Sequence, residues 1–173
     1  MISKITRKVV VIAILSATAV ASRMALVMLP QVKPVLAIVI LAGSVYGAGT
    51  GFFVGAIAMG VSNMVMGQGP WTIWQVAACG IVGVIAGVLP VKRRVPLAIV
   101  GGVLAVFVYG VIMNVGSAYM FQVDVNWDKV VAFCMAGLPF DVVHGAATAG
   151  FLLVLGGRVR GVMERYGLGV IKN

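Results

Sequence analysis

The 32 residues from Pro34 to Val65 carry no charged side chain. Water would force such a stretch to be buried completely, whereas a bilayer asks only that its backbone be hydrogen-bonded internally, as in a helix. The same signature continues on both sides. Apolar runs bounded by charge, proline or glycine lie near 9–29, 34–48, 50–65, 74–90, 96–121 and 129–156. A helical span needs roughly 20 residues, so the second and third runs are tight. Gly47 to Gly51 is the only plausible turn between them, and one bent element is the alternative to two short helices. The expected fold is an all-α membrane protein, a compact bundle of six transmembrane helices forming one domain over 1–173.

Charge fixes the expected topology. The chain is 62% hydrophobic and 10% charged with a formal net charge of +9, and its mean hydropathy is +1.14. The basic residues sit between apolar runs rather than in a stripe with interleaved aromatics, which argues against nucleic acid and for positive-inside topology. With six spans, one side collects Lys4, Arg7, Lys8, Lys92, Arg93, Arg94, Arg158, Arg160, Arg165 and Lys172, leaving only Arg23, Lys33 and Lys129 of 13 basic residues elsewhere. Both termini and the 91–95 loop are therefore expected in the cytoplasm of a prokaryotic cell, with the chain multi-pass in its plasma membrane. Lys4, Arg7 and Lys8 precede an apolar run in the manner of a signal peptide, but the run continues to Leu29 without a convincing cleavage site, so it reads as a retained first helix.

The outer side then carries Pro30 to Lys33, the 66–73 loop, and Gln122 to Asp128. The stretch from Asn63 to Pro90 is the most informative, because Gly67-Gln68-Gly69-Pro70-Trp71 is irregular backbone that lipid tolerates only beside protein or a watery cavity. A fourth helix from Trp74 to Leu89 would span about 24 Å at about 1.5 Å per residue, short of a roughly 30 Å core, and would leave a pit beneath the loop. Trp71 and Trp74 suit either stacking on a flat ligand or an interfacial aromatic belt. Gln75 follows them closely enough to reach a ligand below.

Inside the membrane the sharpest signal is Gly137-Leu-Pro-Phe-Asp141-Val-Val-His144. It holds the one carboxylate deep in an apolar run and the single histidine, three residues apart and so on one helical face. A charge at that depth costs about 2.5–3.5 kcal/mol on insertion scales, so the pair should face the bundle interior or a wet cavity. A structural Asp–His hydrogen bond is the alternative. Asn114, with Tyr109, Ser117 and Tyr119 in the same run, needs a polar partner, whether ligand or neighbouring helix. Ala13, Ala17, Ala21 and Ala25 recur every four residues, a smooth stripe for internal packing or for a partner subunit. Gly43, Gly47, Gly51 and Gly55 read as packing of the 34–65 hairpin, and Gly80, Gly83 and Gly87 as close helix contact. Cys79 and Cys134 lack metal or redox spacing. No phosphate loop, zincin or nucleophile-elbow motif is present, so the chain is not expected to be an enzyme or to hydrolyse ATP alone, and no cofactor or metal site of its own is expected.

Taken together, Ala13-Ile-Leu-Ser-Ala17, the Pro34–Asn63 hairpin, Gly67-Gln-Gly-Pro-Trp71 with Trp74-Gln75, and Leu138-Pro-Phe-Asp141-Val-Val-His144 resemble the substrate-binding S component of energy-coupling-factor vitamin transporters. The branch most similar is the one for cobalamin or related corrinoids, whose ligand would bring its own cobalt. The resemblance implies a site facing outward between helices 4 to 6 and the outer loops. Gln68, Trp71, Trp74 and Gln75 would then form the ligand-facing lid, and Asn114, Asp141 and His144 the polar floor. It further implies that Ala13, Ala17 and Ala21 dock a transmembrane coupling subunit shared with two cytoplasmic ATPases. Ile73 stands where many relatives have proline, which implies a less rigid lid. Competing readings are a solitary proton-coupled permease using Asp141 and His144, an intramembrane hydrolase using the same pair, and a scaffold without ligand.

Overall fold

The computed structural model describes residues 3–91 and 93–165. Helix α1 runs Lys4–Ala25, α2 Val35–Tyr46, α3 Ala48–Met66, α4 Trp71–Val88, α5 Arg94–Val103, α6 Val111–Phe121, α7 Trp127–Val154 and α8 Gly156–Arg165. A π-helical segment, Leu104–Gly110, joins α5 to α6, so Arg94–Phe121 is continuous helix. Among the described residues, five helices are long and apolar enough to cross a membrane: Lys4–Ala25, Ala48–Met66, Trp71–Val88, Arg94–Phe121 and Trp127–Val154. At 12 residues α2 is about 18 Å long, too short to cross alone. Lys92 and Lys172, used above for topology, lie outside the described residues.

The helix ends follow local chemistry. The Ser3 hydroxyl caps α1 by accepting from the Thr6 N–H at 3.1 Å, and the Asn126 side-chain oxygen Oδ1 caps α7 by accepting from the Lys129 N–H at 2.9 Å. Gly47, at φ 93, is the whole turn between α2 and α3, so the 34–65 stretch is two helices folded back at one residue. Gly67, at φ 118, ends α3, and Pro70 precedes the first residue of α4. Pro139 lies inside α7, which stays helical through it although no N–H is available for the Met135 carbonyl.

Every residue of α2 except Ile38 is buried. This explains its all-round apolar sequence: it is the core strut, and the longer helices surround it. Four glycines bring α2, α3 and α4 together. A Cβ on Gly43 would lie 2.4 Å from the Gly83 carbonyl oxygen, one on Gly51 2.4 Å from the same atom, and one on Gly87 2.3 Å from the Ala48 nitrogen. The glycines at 43 and 51 thus pack the hairpin onto α4 as well as on itself, backbone against backbone. The lipid-compatible face is the reverse of a soluble surface, with Ile14, Phe53, Ile99, Phe107 and Val143 all exposed.

Two expectations change. Helix α4 begins at Trp71 rather than Trp74 and is 18 residues, about 27 Å, so its length leaves no pit. The short element is α2. Across the Gly47 turn Val35 stands level with Met59, while α3 runs on to Met66, about 10 Å further. Space opens above the start of α2.

Candidate functional site

That space is a cavity of about 560 Å³, with Val35 and Leu36 of α2 at its base and walls from α1, α3, α4, the π segment, α6 and α7. Of the expected binding residues, Gln75, Asn114, Asp141 and His144 line it. Gln68, Trp71 and Trp74 do not. The Trp71 ring lies over Gly69 of its own loop, where a Cβ would be 2.3 Å away. Trp74 nests on Gly116, whose Cβ would lie 2.4 Å from the indole, and stacks on Tyr119 with centroids 6.4 Å apart. The Gln68 side-chain oxygen accepts from the Thr72 hydroxyl at 2.8 Å. Of the three loops expected on the outer side, Pro30 to Lys33 reaches the cavity through Pro30, Gln31 and Lys33.

One wall is built by α6 and α7 through reciprocal glycine contacts. Asn114 sits over Gly137, where a Cβ would be 2.2 Å from its side-chain oxygen, and Asp141 sits over Gly110, where a Cβ would be 2.5 Å from its carboxyl carbon. So placed, the Asn114 amide donates to Asp141 Oδ2 at 2.7 Å. This answers the question posed by a mid-span amide and a mid-span carboxylate: each is the other's partner. His144 shares the cavity with Asp141, as their spacing requires, and its ring meets Tyr109 edge-on at 5.0 Å. Tyr109 belongs to the π segment, and such segments recur at functional sites because the extra residue per turn re-aims side chains.

The cavity lining also carries Arg23 and Lys33, two basic residues that the sequence marked only as lying off the cytoplasmic side. Arg23 of α1 donates from Nη1 to the Ser62 hydroxyl and, at 2.8 Å, to Asn63 Oδ1. Fully buried Asn63 donates in turn to Gln75 Oε1 at 2.7 Å and to the Thr72 hydroxyl at 2.9 Å. A polar chain therefore runs from Gln68 in the α3–α4 connection to Arg23 at the cavity. Lys33 lies in the α1–α2 connection; burial and the nearby Arg23 charge hold its ammonium below the usual lysine range. Gln31 is the sole non-glycine with positive φ among the described residues, at φ 59. It forms the middle of a tight turn closed by the Val32 N–H on the Pro30 carbonyl at 2.8 Å. The signal for Arg23 was available, since a lone cation within the 9–29 run is anomalous in the same way as Asp141.

The alanine stripe faces out. Ala13, Ala17, Ala21 and Ala25 are exposed, while Val11, Ser16 and Ala19 take the buried side of α1. Among the described residues no cluster of three or more His, Cys, Asp or Glu is placed to hold a metal ion.

A family model described as ECF-type riboflavin transporter, S component, matches residues 3–159. The chain is 32% identical over 101 residues to a UPF0397 protein of Aliivibrio salmonicida strain LFI1238, covering 57% of this chain and 54% of that protein. It is 40% identical over 65 residues to a UPF0397 protein of Aliivibrio fischeri strain MJ11, covering 36% and 35%. The match thus spans about half or less of the curated relatives' length. No solved structure matches the chain.

Proposed function

Because the chain belongs to the ECF-type riboflavin transporter S-component family, we propose that it captures a vitamin from outside the cell and hands it inward with an ATPase-driven coupling module. The observation that carries this reading is the polar-walled cavity of about 560 Å³ above the start of α2. Its size falls within the roughly 300–1,000 Å³ of sites that enclose drug-sized ligands. That suits a two- or three-ring vitamin such as riboflavin, whereas a corrin macrocycle with its appended nucleotide is far larger. Cavity size and the family's description therefore both favour a flavin-sized ligand over the corrinoid suggested by sequence resemblance.

In this reading six helices cross the plasma membrane, α2 being carried through by its neighbours, and both termini are cytoplasmic. The ligand enters past Gln31 and Lys33 and settles between Tyr109, His144 and the Asn114–Asp141 pair. The exposed Ala13, Ala17 and Ala21 present a smooth face on which a transmembrane coupling subunit docks. ATP hydrolysis on two attached ATPases then reorients the small protein and releases the ligand inside. The chain itself binds and moves; it catalyses nothing.

The test is a titration of the purified full chain, without ATP or partner, against riboflavin and cobalamin, read by flavin fluorescence and by tryptophan fluorescence. Saturable one-to-one riboflavin binding, weakened by Asp141→Asn, supports the reading. Failure to bind any vitamin, together with pH-driven uptake by the lone chain in liposomes, would replace it with a proton-coupled permease, for which Asp141 and His144 line the same cavity.

A further inference from the structure

The cavity has a charge imbalance that an uncharged vitamin leaves unanswered. Arg23 and Lys33 both line it, against a single carboxylate, Asp141. Among the described residues the one ion pair is Arg160 with Glu164, in α8, so neither cavity cation is met by a carboxylate. Arg23 is held by neutral acceptors, the Ser62 hydroxyl and the Asn63 side-chain oxygen Oδ1. Those contacts aim the guanidinium without neutralising it. Lys33 Nζ donates to the Leu29 carbonyl at 3.3 Å, again a neutral partner. Asp141 is engaged at the α6–α7 wall by Asn114.

Two cations that line one partly buried cavity and feel each other's charge repel and lose hydration, and an arrangement of that kind is stabilised by an anion placed between them. The local backbone adds to this: the Pro30–Gln31–Val32 turn accepts a left-handed residue at Gln31, two positions before Lys33, and strain of that kind persists where the surroundings impose it, which is often at a ligand clamp. We propose that this cavity takes a ligand bearing an anionic group, a carboxylate or a phosphate, seated on Arg23 and Lys33, with its ring directed toward Tyr109 and His144. The inference rests on the receptor reading above and narrows the substrate to acidic vitamins or vitamin phosphate esters of flavin size or smaller.

The experiment uses the purified full chain and matched pairs that differ in the anion: riboflavin and riboflavin phosphate, nicotinamide and nicotinate, biotin amide and biotin. In whichever pair binds, the anionic member is expected to bind about tenfold tighter or more, the size of a charge-assisted hydrogen bond. Raising salt reduces that preference. Lys33→Gln and Arg23→Gln each remove most of it, and thermal unfolding in detergent, read separately, shows that the variants are folded. Should Arg23→Gln fail to fold, Lys33→Gln decides, since its hydrogen bond is to the Leu29 carbonyl in the loop. Equal or tighter binding of the neutral member by the unaltered chain overturns the anion site and leaves the receptor standing. Failure of all six compounds overturns both.

Discussion

At the scale of single residues, glycines decide where the polar side chains of the cavity point. Gly110→Ala would drive a methyl to 2.5 Å from the Asp141 carboxyl carbon, whereas at Gly150 a Cβ meets nothing within 4 Å. Gly110→Ala is expected to break the Asn114–Asp141 bond and weaken ligand binding about tenfold, with Gly150→Ala unchanged; equal titrations of the two variants would refute the role given to the pair. Lys33 supplies a pH signature. Its pKa in the folded chain lies below the ordinary 10.5, so between those two values the unfolded chain holds a proton the folded chain has shed, and stability rises with pH. Preference for an anionic ligand falls across the same window as the ammonium is lost. The other charged or titratable groups lining the cavity are Arg23 on α1, Tyr109 on the π segment, and Asp141 and His144 on α7; in Lys33→Gln both trends are expected to flatten. Asp141, His144 and Asn114 were legible in the sequence because a polar group inside an apolar run is anomalous whatever the fold. Trp71 and Trp74 were not: an aromatic ring suits a ligand, a lipid interface or a glycine opposite, and only the position of Gly69 and Gly116 tells which.

At the scale of elements, the short helix α2 organises the molecule. Its two neighbours meet it through glycine backbone, and that contact is what lets a 12-residue helix be buried on nearly every side. Gly83→Ala would place a methyl 2.3 Å from the Gly51 backbone, with no flexible side chain to yield, while Gly60→Ala meets nothing within 4 Å. The first is expected to destabilise the protein by about 1–3 kcal/mol, the usual range for overpacking, and the second to be neutral or slightly stabilising. Thermal unfolding in detergent distinguishes them, and equal midpoints would refute the packing account. The sequence showed that 34–65 was tight for two spans. It assigned the resulting space to α4 instead, because the start of α4 was placed at Trp74, after a loop that turns out to be helical from Trp71.

At the scale of the whole molecule, the outward alanine stripe is a surface without a partner in its own bundle. Replacing Ala13 and Ala17 with tryptophan is expected to abolish vitamin uptake in cells that carry the coupling module while ligand binding by the purified chain is retained. Unimpaired uptake would remove the docking role. Topology is tested separately: in a chain without Cys79 and Cys134, a cysteine at Arg158 should react with an impermeant thiol reagent only from the cytoplasmic side, and one at Asp124 only from outside. Labelling of both from one side would overturn the six-crossing arrangement.

The sequence by itself determined that the chain is helical and membrane-bound and which of its helices carry ionisable groups, because the bilayer penalises each polar residue one at a time and so leaves a local record. The tertiary structure decided which polar groups meet. Asn114 with Asp141, Arg23 with Asn63, and Trp74 with Gly116 are joined across 27, 40 and 42 positions of chain. Such pairings depend on how deep and at what rotation each helix sits, and those are set by backbone contacts between glycines that carry no side-chain signal of their partner.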